Sequence, residues 1–204
     1  MARKYRMSTR AATVDSTRTK IVEAAVRVHA RQGIATSSWE DIAREAGVAL
    51  ATVYRHFPSP DSLLPECARA VFQGARLPTL RQASEEFAGI DSPTERLEKL
   101  VRESCRCYEQ AEEWLNVAFR EAHLVPALAA EISILRSSLD TLVRAALGES
   151  ASESGATQGV SAIVDFPFWK SLIDRGVQPS DACRTVTRLA ASHLQTEDVD
   201  PSQG

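Results

Sequence analysis

One stretch limits what this chain can fold into more than any other: Ser37 to Phe57, reading Ser-Ser-Trp-Glu-Asp-Ile-Ala-Arg-Glu-Ala-Gly-Val-Ala-Leu-Ala-Thr-Val-Tyr-Arg-His-Phe. It spells two short helices around a glycine turn. Ser38 followed three residues later by Asp41 has the spacing of a capping box, in which side-chain oxygens meet the amides left free at a helix N-terminus. Trp39, Ile42, Ala43 and Ala46 then recur at helical spacing. Gly47 ends the helix, because glycine takes positive φ without steric penalty, and Val48 covers the turn. From Ala49 to His56 a second helix is predicted, with Val53 and Phe57 pointing inward and Thr52, Tyr54, Arg55 and His56 outward. Two helices joined by a tight glycine turn, the second rich in outward hydrogen-bonding groups, form a helix-turn-helix. That motif sets its second helix in the major groove of DNA.

The flanks agree with this reading. Ser16 or Thr17 is the expected cap of a first helix that runs to about Gln32. Ile21, Ala24, Ala25 and Val28 form its apolar face, and Gly33 ends it. After Phe57, Ser59 caps and Pro60 opens a fourth helix carrying Leu63, Leu64, Cys67, Val71 and Phe72. Gly33, Ser38, Asp41-Ile42-Ala43 with Ala46-Gly47-Val48, Thr52-Val53-Tyr54-Arg55-His56-Phe57, Ser59 and Leu63-Leu64 together resemble the DNA-binding domain of the tetracycline-repressor (TetR) family over residues 17 to 65. The resemblance implies that Ser38, Thr52, Tyr54 and His56 hold the DNA backbone, and that Trp39, Leu50, Ala51 and Tyr54 face base edges. Arg55, outward on the same helix, joins this expected DNA-contact set.

The side chains allow that division independently. Tyr54 and His56 can both reach sugar-phosphate from one end of the helix, and Thr52 can donate a hydroxyl; such contacts fix register without reading sequence. Three positions depart from the family pattern. Ala49 stands where a capping Ser is frequent, Leu50 where Lys or Arg is frequent, and Pro60 where a Lys commonly meets phosphate. Each removes a polar or charged handle, although Leu50 and Ala51 can touch thymine methyls.

Charge is uneven along the chain. Residues 1–60 hold ten Lys/Arg against five Asp/Glu, and residues 61–204 hold 14 against 22, so a basic head (+5) precedes an acidic body (−8) within a net charge of −3. Arg3, Lys4, Arg6 and Arg10 lie in residues 1–14 with no acidic residue beside them. That segment is expected to be disordered alone and to engage a polyanion beside the head, as a minor-groove arm does in homeodomains.

The rest reads as helices, with no convincing strand pattern or repeat. Ser92-Pro93 opens a long helix with Leu97, Val101, Ser104, Tyr108, Ala111 and Leu115 on one face, and a bend or restart is expected between Gln110 and His123. Pro126 opens another, striped by Leu128, Ile132, Leu135, Leu139, Leu142 and Ala146 and stopped at Gly148. Residues 149–159 read as a small-polar loop. A helix from Val160 to Arg175, interrupted at Pro167, and a last helix from Pro179 to His193 follow. The expected organisation is therefore all-α: a basic arm (1–14), a three-helix helix-turn-helix domain (15–58), a larger helical effector-binding and dimerisation domain (59–195) and a polar tail (196–204).

The run Asp165 to Gly176 also resembles the penultimate helix of many TetR-family members. The resemblance implies that the last two helices of each chain make a four-helix homodimer interface, here Phe166, Phe168, Trp169 and Leu172 with Ala182, Val186, Leu189 and His193. Three aromatics within four residues point the same way, since aromatics supply much of the energy of protein interfaces. An unusually aromatic core within one chain is the competing reading. The resemblance further implies an apolar effector pocket among the middle helices, with Phe72, Tyr108, Trp114, Phe119 and His123 as candidates.

Catalysis finds no support. The four histidines are scattered without metal-ligand spacing, and there is no Gly-x-Ser-x-Gly element or glycine-rich phosphate loop. No cofactor or metal is expected. Cys67, Cys105, Cys107 and Cys183 lack paired spacing and are read as small apolar residues in a reducing, cytoplasmic setting. No apolar run approaches the ~20 residues of a membrane span. The expected function is a ligand-responsive, sequence-specific DNA-binding regulator, by family default a repressor released from a palindromic operator by a small apolar effector. A dimeric helical module with weak or lost DNA binding is the alternative.

Overall fold

The computed structural model describes the backbone of residues 2–72, 80–148, 151 and 155–197, and side chains within those ranges from Asp15 to Leu194, Leu80 excepted. Among the described residues the chain is all helix: α1 (Ala2–Gln32), α2 (Trp39–Ala46), α3 (Leu50–His56), α4 (Pro60–Val71), α5 (Leu80–Glu86), α6 (Pro93–Glu121), α7 (Pro126–Leu147), α8 (Ala156–Val164), α9 (Phe166–Ile173) and α10 (Pro179–Glu197). No helix is long and apolar enough to cross a membrane, among the described residues.

The fold has two compact units, and their boundary is not the contiguous one expected near residue 58. The first unit comprises residues 1–75 together with 116–131, and the second residues 76–115 with 132–204. The end of α6 and the start of α7 are thus counted with the head.

In the first unit α1 packs on α2 and α4. Ile21, Ala24, Ala25 and Val28 are fully buried, as their spacing predicts, and meet a core that includes Ile42, Val53, Phe57, Leu63, Leu64 and Cys67. Val48, expected to cover the turn, is half-buried. No break occurs at Ser16 or Thr17: α1 is continuous from Ala2. The side chains of Arg3, Lys4, Arg6 and Arg10 lie outside the described residues.

In the second unit the buried faces of α6, α7, α8, α9 and α10 form the core. Tyr108, Phe166 and Trp169 make a three-ring cluster with centroids 5.5 to 5.9 Å apart, and the Tyr108 hydroxyl donates to the Val164 carbonyl at 3.0 Å. The expected bend in α6 is absent. Residues 110–121 contain no Gly or Pro, and buried Ala111, Trp114, Leu115 and Ala118 keep one helical face in the core. The predicted helix from Val160 is instead two. α8 starts earlier, at Ala156, and ends at Val164. Asp165 is extended (ψ 149°) and caps α9, placing Pro167 in a first turn, where its missing N–H costs nothing. The short helix α5, seven residues long, had no counterpart in the sequence reading.

Candidate nucleic-acid interface

The head builds its exposed face from the caps outward. Asp41 N–H donates to the Ser38 hydroxyl (3.1 Å), Ser38 N–H donates to the Asp41 carboxylate (3.2 Å), and the Ser38 hydroxyl donates to the same oxygen (2.7 Å). The predicted capping box is present, and the Ser38 hydroxyl is engaged in it. Hydrogen bonds from Ser38 and Gln32 hold the Asp41 carboxyl down at about 2. Gly47 closes α2 at φ 66°, with its N–H bonded to the last turn. Ala49, at the start of α3, makes no side-chain cap bond, as expected of alanine.

Behind this face α1 ties down both ends of the motif. Arg27 and Arg31 both pair with Glu45 (2.9 and 3.3 Å), and Gln32 donates to Asp41 (3.0 Å). Arg18 carries more. One guanidinium nitrogen reaches the His56 carbonyl (3.4 Å), the other pairs with Glu66 (3.1 Å), and the group lies 4.4 Å over the Phe57 ring. A cation at the C-terminal end of α3 suits the helix dipole. Arg18 was not singled out in the sequence; its nearest partner along the chain is 38 residues away, which leaves no local signal.

Val53 and Phe57 are fully buried, which turns the opposite side of α3 outward. Ala51, Tyr54 and Arg55 are exposed, and Leu50, Thr52 and His56 are half-buried. Half-buried Trp39 stands at the start of α2 with its ring 5.5 Å from that of Tyr54. Two residues fifteen apart in sequence thus share one aromatic surface. Burial, then the charges of Arg55 and Arg18, push the His56 imidazole down from its ordinary value.

The candidate effector residues divide between the two units. Phe72, Phe119 and His123 belong to the first unit and Tyr108 and Trp114 to the second. Tyr108 and Trp114 are buried in helix packing and His123 is exposed in the turn after α6. An open groove of about 1100 Å³ lies instead in the second unit, between α6 and α10. Leu97, Cys105, Cys183 and Ala191 contribute its apolar surface, and Arg102, Arg106, Arg184 and Arg188 line it with Glu98 and Glu109. None of the five expected residues lines it. Its outward charges gave a solvated-face pattern, so periodicity offered no signal. Burial pushes the Cys105 thiol far up from its ordinary value, and Cys67 up to about 12, consistent with protonated, apolar roles. No group of three or more His, Cys, Asp or Glu side chains is placed to hold a metal, among the described residues.

The expected interface residues divide. Phe166, Trp169, Ala182 and Val186 are buried within their own chain at 0 to 1% exposure, so the aromatic run mostly fills an internal core. That outcome corrects their expected role in contacting a partner. Phe168, Leu172 and His193 are half-buried and Leu189 is 39% exposed.

A glycine-turned pair of helices with a half-buried turn residue, Val48, and an exposed polar-aromatic second helix defines a helix-turn-helix. Residues 21–67 match the family described as bacterial regulatory proteins, tetR family. Residues 21–67 therefore carry a DNA-binding domain of the tetR type, and over most of its length the chain shares the fold of solved TetR-family structures. No curated protein sequence matches the chain. Similar solved structures include a TetR-family member from Streptomyces coelicolor A3 (22% identity, 85% of this chain and 97% of that one, TM-score 0.62). A TetR-family regulator from Mesorhizobium loti is similar at 16% identity over 90% and 96% of the two chains, TM-score 0.61. The multidrug binding protein EbrR, solved with imidazole, is similar at 21% identity over 84% and 88%, TM-score 0.59.

Proposed function

We propose that the chain binds a palindromic operator as a homodimer through α3 and represses transcription until a small-molecule effector releases it. The observation that carries this reading is the outer face of the head. Val53 and Phe57 anchor α3 from behind, while Trp39 and Tyr54 present a joined aromatic surface with Leu50, Ala51, Thr52, Arg55 and His56 around it. Tyr54, His56 and Thr52 are assigned to phosphate, and Leu50, Ala51 and Trp39 to base edges. A two-fold dimer reads inverted half-sites, and Phe168, Leu172, Leu189 and His193 are the surface from which α9 and α10 would meet a partner. The groove between α6 and α10 is the cavity that suits an effector, with an apolar floor and charged sides. A similar fold is described as multidrug binding in EbrR, which supports a small-molecule role.

The test is enrichment of duplexes from a random-sequence pool by the full-length chain. An inverted repeat bound in a salt-sensitive manner is the expected result. The uncapped Ala49, with Leu50 and Pro60 in place of cationic residues, favours a second reading, a dimeric module that binds DNA weakly; a pool with no enriched sequence would select it.

A further inference from the structure

The turn that leads into the helix-turn-helix is not held by the three helices of the head alone. Between α1 and α2 the chain passes through Gly33, Ile34 and Ala35, three residues before the Ser38 cap. The amides of the last two face a carboxylate from α6: Ile34 N–H donates to Glu121 Oε2 at 2.7 Å and Ala35 N–H to the same oxygen at 2.9 Å. The other oxygen accepts from Arg120 at 2.9 Å. Glu121 is 8% exposed. A Cβ on Gly33, which sits at φ 95°, would lie 2.7 Å from Glu121 Oε1, so turn and carboxylate fit as lock and bolt only because that side chain is missing.

We propose that Glu121 is a positioning residue for the DNA-reading helices: by gripping two adjacent amides it fixes the entry to α2, and DNA affinity depends on that grip. Burying a carboxylate is costly unless hydrogen bonds compensate, and an apolar residue would fill the space at less expense. The carboxylate supplies what packing does not, a directional bond that either forms or breaks. An axial or rotational displacement of about 1 Å at the end of α6 takes both bonds beyond hydrogen-bond range. The inference rests on the DNA-binding reading above and adds the residue through which α6 acts on the head.

The experiment uses the full-length chain as wild type, Glu121→Ala and Glu121→Gln. It pairs amide hydrogen exchange with titration of the duplex enriched by the wild type. In Glu121→Ala, exchange at Ile34 and Ala35 should accelerate about tenfold or more while the Phe57 amide, bonded within α3, keeps its protection. Affinity for the duplex should fall about tenfold, with Glu121→Gln recovering part of it because its amide oxygen still accepts. Wild-type affinity in Glu121→Ala overturns the proposal. So does acceleration at Phe57 equal to that at Ile34 and Ala35 with no recovery in Glu121→Gln, since that is general loss of head stability. If the wild type enriches no duplex, operator binding fails as a function. Unchanged exchange at Ile34 and Ala35 in Glu121→Ala still overturns the grip itself, by a measurement that needs no DNA.

Discussion

Single side chains set the accuracy of the head. Ser38 and Asp41 satisfy each other's amides at the start of α2, and Ser38→Ala should cost about 1 kcal/mol in denaturant titrations. Asp41 is depressed to about 2, so its contribution is present at neutral pH and lost only as pH falls from its unfolded value through 2. His29 acts in a higher window. It is 3% exposed, its Nδ1 has no hydrogen-bond partner among the described residues, and burial, opposed by the Glu121 charge, lowers it to about 4. The unfolded chain therefore binds a proton that the folded chain refuses between pH 6.5 and 4, and stability falls on acidification through that range by about 3 kcal/mol. His29→Leu should flatten this part of the pH–stability curve; a slope as steep as wild type would show that other groups carry it. On the outer face, Tyr54→Phe and His56→Ala should weaken binding to all sequences alike. Leu50→Ala should instead alter base preference, because an aliphatic side chain offers only apolar contacts such as those with thymine methyls. Binding of the enriched duplex and its single-base variants separates the two kinds of effect.

At the scale of elements, sequence signals were accurate where one helix is governed by its own residues. The stop at Gly47, the Pro60 start, the Pro126 start and the Gly148 stop are local stereochemistry, and each stands where its residues place it. The errors came where neighbours decide. A drift in the apolar pattern after Gln110 suggested a bend, but α6 is buried on more than one side and runs unbroken to Glu121. α1 likewise passes Ser16 and Thr17 without a break, since no helix-breaking residue enforces one. The basic segment 1–14 yields its own prediction. Its deletion removes four positive charges per chain, and the plot of log affinity against log salt should become shallower by at most about 0.9 for each phosphate the arm had neutralised. Titration at several salt concentrations measures it, and an unchanged slope would show that the arm does not engage DNA.

For the whole molecule, assembly is the expectation most changed by the structure. Trp169→Asp is not a specific probe of dimerisation, because Trp169 is buried against Tyr108 and Phe166 and the substitution would unfold its own core. Phe168→Asp and Leu189→Asp are the informative variants, since both positions keep open surface. Each should shift light scattering from dimer towards monomer at micromolar concentration while leaving the helical circular dichroism intact. A wild-type chain that is itself monomeric under those conditions would remove the two-fold reading of the operator.

The sequence by itself determined the all-helical class, the helix-turn-helix and the residues on its outer face, because caps, glycine stops and the inward pair Val53 and Phe57 act within a few residues of one another. Only the tertiary structure decided which aromatics fill a core. Phe166 and Trp169 have no different composition from an interface pair, and whether they meet Tyr108 or another chain depends on a helix about sixty residues away. It also decided that the candidate effector residues divide between the two units, and that Arg18 and Glu121 hold the head. A single carboxylate 86 residues beyond the amide it grips leaves no periodicity and no local spacing, since the bond exists only once the helices have packed.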